Sequence, residues 1–323
     1  MKRWLSMVLV LLLAMCAAAA QAADELTELQ ARAEQGDAEA QCRLGYIYAV
    51  GDGVAVDFDK AVYWYGLAAA QGYARGQYNM GVAYMHGLGV PQDWQEAVRW
   101  YTLAAEQGHM TAQLNLAICY DFGRGVAEDD ALAACWYARS AEQGEVTAQF
   151  NLAICYDFGR GVPEDDVLAV YWYTQAAEQG NADSQYNLAL CYLAGNGVTA
   201  DDALAVQWFT RAAEQGHAAA QYQLGLCLSF GTGAEQDDAQ AVHWFAQAAA
   251  QGHAEAQYSL AACYINGTGV EKDLAQAAHW TLKAAEQGVV KSQYNMGVFY
   301  MRGWGVEKDE EQAFYGKCLY SHP

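Results

Sequence analysis

Basic side chains are scarce in this chain. Lys and Arg total 17 against 38 Asp and Glu, a formal net charge of -21 with a pI near 4.5. Nucleic acid and anionic lipid both demand basic surface, so the balance argues against either as a partner. It leaves room for a basic protein or a cationic patch, and it serves equally as a solubility device for a long exposed surface. Signatures of catalysis are missing too. There is no Gly-x-Ser-x-Gly, no Ser-x-x-Lys and no phosphate-binding loop of the Walker type. No Cys-x-x-Cys or Cys-x-x-His pair exists to start a zinc site. Beyond the N-terminal stretch, no run approaches the ~20 apolar residues of a membrane span.

The apolar stretch that does exist reads as a secretory leader over residues 1–22. Lys2 and Arg3 supply the positive start, Val8 to Ala20 is uninterrupted, and Ala20-Gln21-Ala22 is a small-x-small cleavage site. Cleavage after Ala22 would take the net charge from -21 to -23. Acylation at Cys16 is the alternative, although Met15 stands where such signals want a small side chain. Export to the periplasm or beyond is the expectation.

What fills the rest of the chain is a beat of 36 residues without insertion or deletion. Gln-Gly pairs mark it, from Gln35-Gly36 and Gln71-Gly72 to Gln287-Gly288. A period in this range signals a stacked array, because one such unit cannot bury its own apolar face. Within Asp37 to Gln71, Ala40, Leu44, Ile47 and Tyr48 line one helix face. Gly51-x-Gly53 breaks that helix. A second helix after Asp57 carries Ala61, Trp64, Tyr65, Ala68 and Ala69 inward. Each repeat is therefore predicted to be a helical hairpin. The Asp column from Asp57 to Asp309 suits N-caps. The Trp column from Trp64 to Trp280 suits knobs packed against the next hairpin. The predicted organisation is a leader (1–22), an N-terminal capping helix (23–36) and eight tandem repeats (37–323). The last repeat is degraded as a cap, with Gly316 in place of Trp and the chain ending at Pro323, where a Gln belongs. Asn115 to Val126 is repeated at Asn151 to Val162, which points to an internal duplication.

These residues resemble the Sel-one-like repeat family, relatives of the tetratricopeptide repeat. The second repeat carries the match most fully, in Met80-Gly81, Tyr84, Gly87-x-Gly89-Val90, Asp93, Ala97, Trp100, Ala104-Ala105 and Gly108. The resemblance implies an all-α fold, an α/α right-handed superhelical solenoid of eight hairpins. It also implies an adaptor or scaffold that takes a protein or peptide on its concave surface, with no cofactor. A few secreted relatives have been described as β-lactamases or penicillin binders; a cell-envelope hydrolase is thus the enzyme alternative, and a secreted host-interaction factor the third reading. One disulfide per repeat, known in cysteine-rich relatives, does not carry over, because the repeats lack paired cysteines.

Candidate site residues fall in the columns that vary. Asn79, Asn115, Asn151, Asn187 and Asn295 lie two residues after the Gln column, off the apolar stripe. As a ladder they would hold an extended peptide backbone; the alternative is that they bond neighbouring hairpins. Phe122, Phe158 and Phe230 stand just ahead of the turns, the first two preceded by Asp121 and Asp157. These would form two similar pockets for a basic-apolar ligand, or serve local packing at the helix end. Five cysteines, Cys119, Cys155, Cys191, Cys227 and Cys263, share one apolar column. Neighbouring hairpins place them about 8–10 Å apart, beyond the ~7 Å that a disulfide bridges. Buried free thiols are expected, with Cys119 and Cys135 the nearest disulfide candidates. His109, His217 and His253, and likewise His243 and His279, are expected to be solvated at helix ends. No catalytic, cofactor or metal residue is assigned, and a monomer is expected.

Overall fold

A computed structural model describes residues 24–318, with side chains described up to residue 314. The leader, Cys16 and Pro323 lie outside the described residues. Every regular element among them is helical. The first is α1 (24–34). It is followed by α2 (Ala38–Val50), α3 (Phe58–Ala70), α4 (Ala74–His86), α5 (Trp94–Glu106), α6 (Met110–Asp121), α7 (Asp130–Glu142) and α8 (Val146–Asp157). Then come α9 (Asp166–Glu178), α10 (Ala182–Ala194), α11 (Asp202–Glu214), α12 (Ala218–Phe230) and α13 (Asp238–Ala250). The last are α14 (Ala254–Asn266), α15 (Leu274–Glu286), α16 (Val290–Arg302) and α17 (Glu310–Cys318). Even-numbered helices are the first, and odd-numbered the second, of each predicted hairpin. The chain divides into two compact units. An N-terminal unit runs to Cys155 and includes Gly159–Pro163; a C-terminal unit holds Tyr156–Phe158 and the chain from Glu164.

The turn residues account for both ends of each helix. Asp57 accepts a hydrogen bond from the Lys60 amide at 3.0 Å, and Asp129, Asp201 and Asp309 do the same for Leu132, Leu204 and Gln312. Such caps contribute about 0.5–2 kcal/mol each. Gly51 follows α2 at φ +78°, the left-handed conformation that closes the helix. The second glycine of the turn has another task. A Cβ on Gly89 would collide with the Phe58 carbonyl of the preceding hairpin, and one on Gly161 with that of Asp130. The Gly-x-Gly column therefore stops one helix and lets the turn settle on its neighbour.

The complete Gln column proves to be a hub. Gln113 is buried; its Nε2 donates to the Ala105 carbonyl at 3.1 Å and its Oε1 accepts from Gln143 Nε2 at 2.7 Å. One first helix is thereby tied to the end of the preceding second helix and to the end of its own partner. Gln41 with Gln71 and Gln77 with Gln107 repeat this in the N-terminal unit. In the C-terminal unit the pairs are Gln185–Gln215, Gln221–Gln251 and Gln257–Gln287. Each hub adds a side-chain bond to a carbonyl in the last turn of the preceding helix, one that also accepts a backbone amide, as Ala105 does from Gly108 at 2.9 Å.

Alanines occupy the close crossings. Ala68 and Ala69 are buried, and a Cβ on Gly76 would press on both, so this face of α3 meets the next hairpin. The tryptophans turn the other way. Trp100 packs on the cluster of Ala61, Tyr65 and Met80, and Trp280 on that of Ala241, Phe245 and Leu260. The predicted knob against the next hairpin is thus corrected: with the alanine pair facing forward, the indole is left to fill the layer behind it.

Candidate functional site

The predicted site residues lie on the even-numbered helices, but in two different environments. The asparagines are half-buried. Asn79 Nδ2 reaches Cys42 Sγ at 3.4 Å, and Asn115 meets the hydroxyls of Tyr78 and Tyr101. Asn187 meets the Tyr173 hydroxyl. Part of each amide's bonding capacity is therefore spent within the protein. Asn151 and Asn295 are also half-buried.

The phenylalanines are out in solvent. Phe122, Phe158 and Phe230 are 61, 68 and 76% exposed, which rules out local packing as their main role. The Arg124 guanidinium rides 5.2 Å above the Phe122 ring.

The two aspartates do not form two similar pockets. Each accepts a buried tyrosine hydroxyl: Tyr137 to Asp121 Oδ2 at 3.0 Å, Tyr173 to Asp157 Oδ2 at 2.9 Å. The remaining oxygen of Asp121 is taken by Arg160, which also approaches Asp130 at 3.3 Å. Asp157 instead lines an open cavity of about 300 Å³ with Asn187, Leu190, Cys191, Leu193, Ala194 and Asn196. The tyrosine bond was missed from sequence. Its signal is that Tyr stands 16 residues after Asp in both repeats, where later repeats pair Phe209 with Leu193.

Seven described cysteines, including Cys119 and Cys135, are free thiols. Burial pushes Cys119, Cys155 and Cys191 up to about 11, with nearby carboxylates adding to the last two. The expectation of solvated histidines is corrected at three of the five positions, His109, His217 and His253. His109 Nδ1 accepts from the Ala112 amide at 3.2 Å, and its ring stacks on Tyr78 at 4.7 Å. His217 and His253 do the same against Tyr186 and Tyr222. These rings are half-buried caps, and burial lowers the pKa of His109 and His253. His243 and His279 are exposed, edge-on to Trp244 and Trp280.

Comparison with known proteins places this architecture. The Sel1 repeat matches eight times in succession, over residues 38–73, 74–109, 111–145, 146–181, 182–217, 218–253, 254–289 and 290–315. A protective antigen of uropathogenic Escherichia coli with an SLR fold is 34% identical, with a TM-score of 0.66, over 92% of this chain and 74% of that one. A Sel1 repeat protein from Oxalobacter formigenes is also 34% identical, with a TM-score of 0.71, over 91% of this chain and 85% of that one. No curated protein matches the chain.

Proposed function

The chain belongs to the Sel1 repeat family, whose members generally act as protein-interaction scaffolds, and from that premise we propose that it is an exported adaptor for a protein or peptide. The partner lies along the even-numbered helices, in the groove that first helices line in such solenoids. The observation that carries this reading is the recurrence of exposed Phe122, Phe158 and Phe230 at one register, beside half-buried amides with bonding capacity to spare. An array of this kind grips an extended segment through backbone bonds and apolar side-chain contacts. The charge of -21 favours a basic partner and disfavours nucleic acid. No helix among the described residues is long and apolar enough to cross a membrane. The leader over residues 1–22 carries the export reading, and N-terminal sequencing of the mature protein at Ala23 tests it.

The scaffold reading is tested by crosslinked capture from envelope extracts. The variant with Asn115, Asn151 and Asn187 all replaced by Ala, shown by circular dichroism to be folded, should lose the captured partner; undiminished capture sinks the groove. Sel1 repeat solenoids are typically non-enzymatic. Nitrocefin turnover by the purified, metal-replete protein would overturn the scaffold reading in favour of a hydrolase. Similarity to a protective antigen favours one second reading, in which the exported scaffold engages a host surface. Binding of the purified protein to host cells, absent for a same-charge control, is its test.

A further inference from the structure

Two columns run through the repeats out of step with each other. The acid ahead of the turn occurs as Asp121 and Asp157; the basic residue inside the turn occurs as Arg124 and Arg160. A turn residue reaches back 39 positions, so Arg160 meets Asp121. By the same step Arg124 faces Met85, and its guanidinium stacks over Trp94 and Phe122 instead. At the other end of the stagger, Asp157 faces Asn196.

In the N-terminal unit the frame is complete. Tyr137 holds Asp121 Oδ2, leaving Oδ1 for the guanidinium, and Asp130 closes on the same Arg160 nitrogen. In the C-terminal unit the frame recurs without its occupant. Tyr173 holds Asp157 Oδ2, and Asp166 opens α9 as Asp130 opens α7. Cys155 senses Asp121 and Asp130, and Cys191 senses Asp157 and Asp166, so both carboxylate pairs flank the same thiol position. Among the described residues no Lys, Arg or His pairs with Asp157. The space is instead the cavity of about 300 Å³ with Asn187 and Asn196 on its wall.

We propose that Asp157 Oδ1, with Asp166 and Asn196 beside it, binds an arginine side chain of the partner polypeptide, in the seat that Arg160 takes on Asp121 and Asp130. Two carboxylates on one seat match the planar fork of a guanidinium better than a point charge. Exposed Phe158, next in the chain, offers an apolar face for the arginine stem. This rests on the scaffold reading and narrows it to a partner that presents arginine at this repeat.

Titration with Nα-acetyl-arginine amide, followed by NMR at the Asn187 and Asn196 side-chain amides, tests the site. A saturable shift is expected with arginine and none with the neutral, isosteric citrulline amide. Asp157→Asn keeps an acceptor for Tyr173 and should weaken the response at least fivefold. Asn196→Arg should abolish it and raise Tm by filling the seat from within. Absence of a saturable shift in the native protein, an equal response to citrulline, or an unchanged response in Asp157→Asn overturns the proposal. If Asp157→Asn also captures the envelope partner undiminished, the arginine seat is withdrawn while the scaffold reading stands.

Discussion

His109 and His253 show how one side chain can serve a helix end and a stacking contact together. Each ring must be neutral at Nδ1 to accept its amide bond. Burial depresses both pKa values below the ordinary 6.5. Their contribution is therefore complete above that value and is lost as pH falls through the folded value. The double variant His109→Asn with His253→Asn keeps a cap, as Asn181 does naturally at 2.7 Å from the Ser184 amide. It should flatten the fall in Tm between about pH 7 and pH 5; an unchanged slope would assign the acid sensitivity elsewhere. The thiols divide by the same criterion of burial. Cys135 is exposed, whereas Cys119, Cys155 and Cys191 are buried with thiols near 11. Mass spectrometry after brief alkylation of native protein at neutral pH should find Cys135 modified well ahead of these three. The free state of the cysteine column was legible, because hairpin spacing exceeds disulfide reach. The histidine caps were not, because the tyrosine that buries each ring stands 31 residues earlier.

Between elements, the glutamine hubs and the second turn glycines hold the helices in register. Gln113→Leu removes the bonds to the Ala105 carbonyl and from the Gln143 side-chain amide. It should cost about 1–3 kcal/mol in urea unfolding. The double variant with Gln143→Leu should cost less than the sum, the signature of one shared bond. Glycine substitutions separate conformation from stacking. Gly108 and Gly125 both have positive φ, +85° and +74°. Only Gly125 would drive a Cβ into the neighbouring hairpin, at the Trp94 carbonyl; nothing lies near Gly108. Gly108→Ala should cost about the 1–2 kcal/mol of a left-handed alanine, and Gly125→Ala distinctly more; equal losses would remove the stacking role. One glutamine column is complete in the sequence and the other breaks only at Pro323, yet their pairing was not readable there. Residues 30 apart, at the start of one helix and the end of its hairpin partner, come together only once the hairpin has closed. The same holds for Asp121 and Asp157, identical in local sequence and different in structure because their partners sit 39 residues on.

At the scale of the molecule, neighbouring repeats within each unit are tied by the same bonds, so a whole repeat is the natural unit of change. Deleting residues 218–253 joins His217 to Ala254 in phase. The shortened protein should remain helical and unfold cooperatively, at a lower temperature. Deleting half that length should give an unfolded or aggregated product, and comparable stability of the two deletions by circular dichroism would refute the register argument. The sequence by itself determined the hairpin, its caps, its turns, the number of repeats and the family, because these depend on spacings within one 36-residue beat. Only the tertiary structure decided which columns touch: the glutamine hubs, the backward-facing tryptophans, the stacked histidines, and the aspartate that faces an open cavity. Those contacts join residues from different repeats or from opposite ends of a hairpin. Their geometry exists only after stacking removes the apolar faces from water.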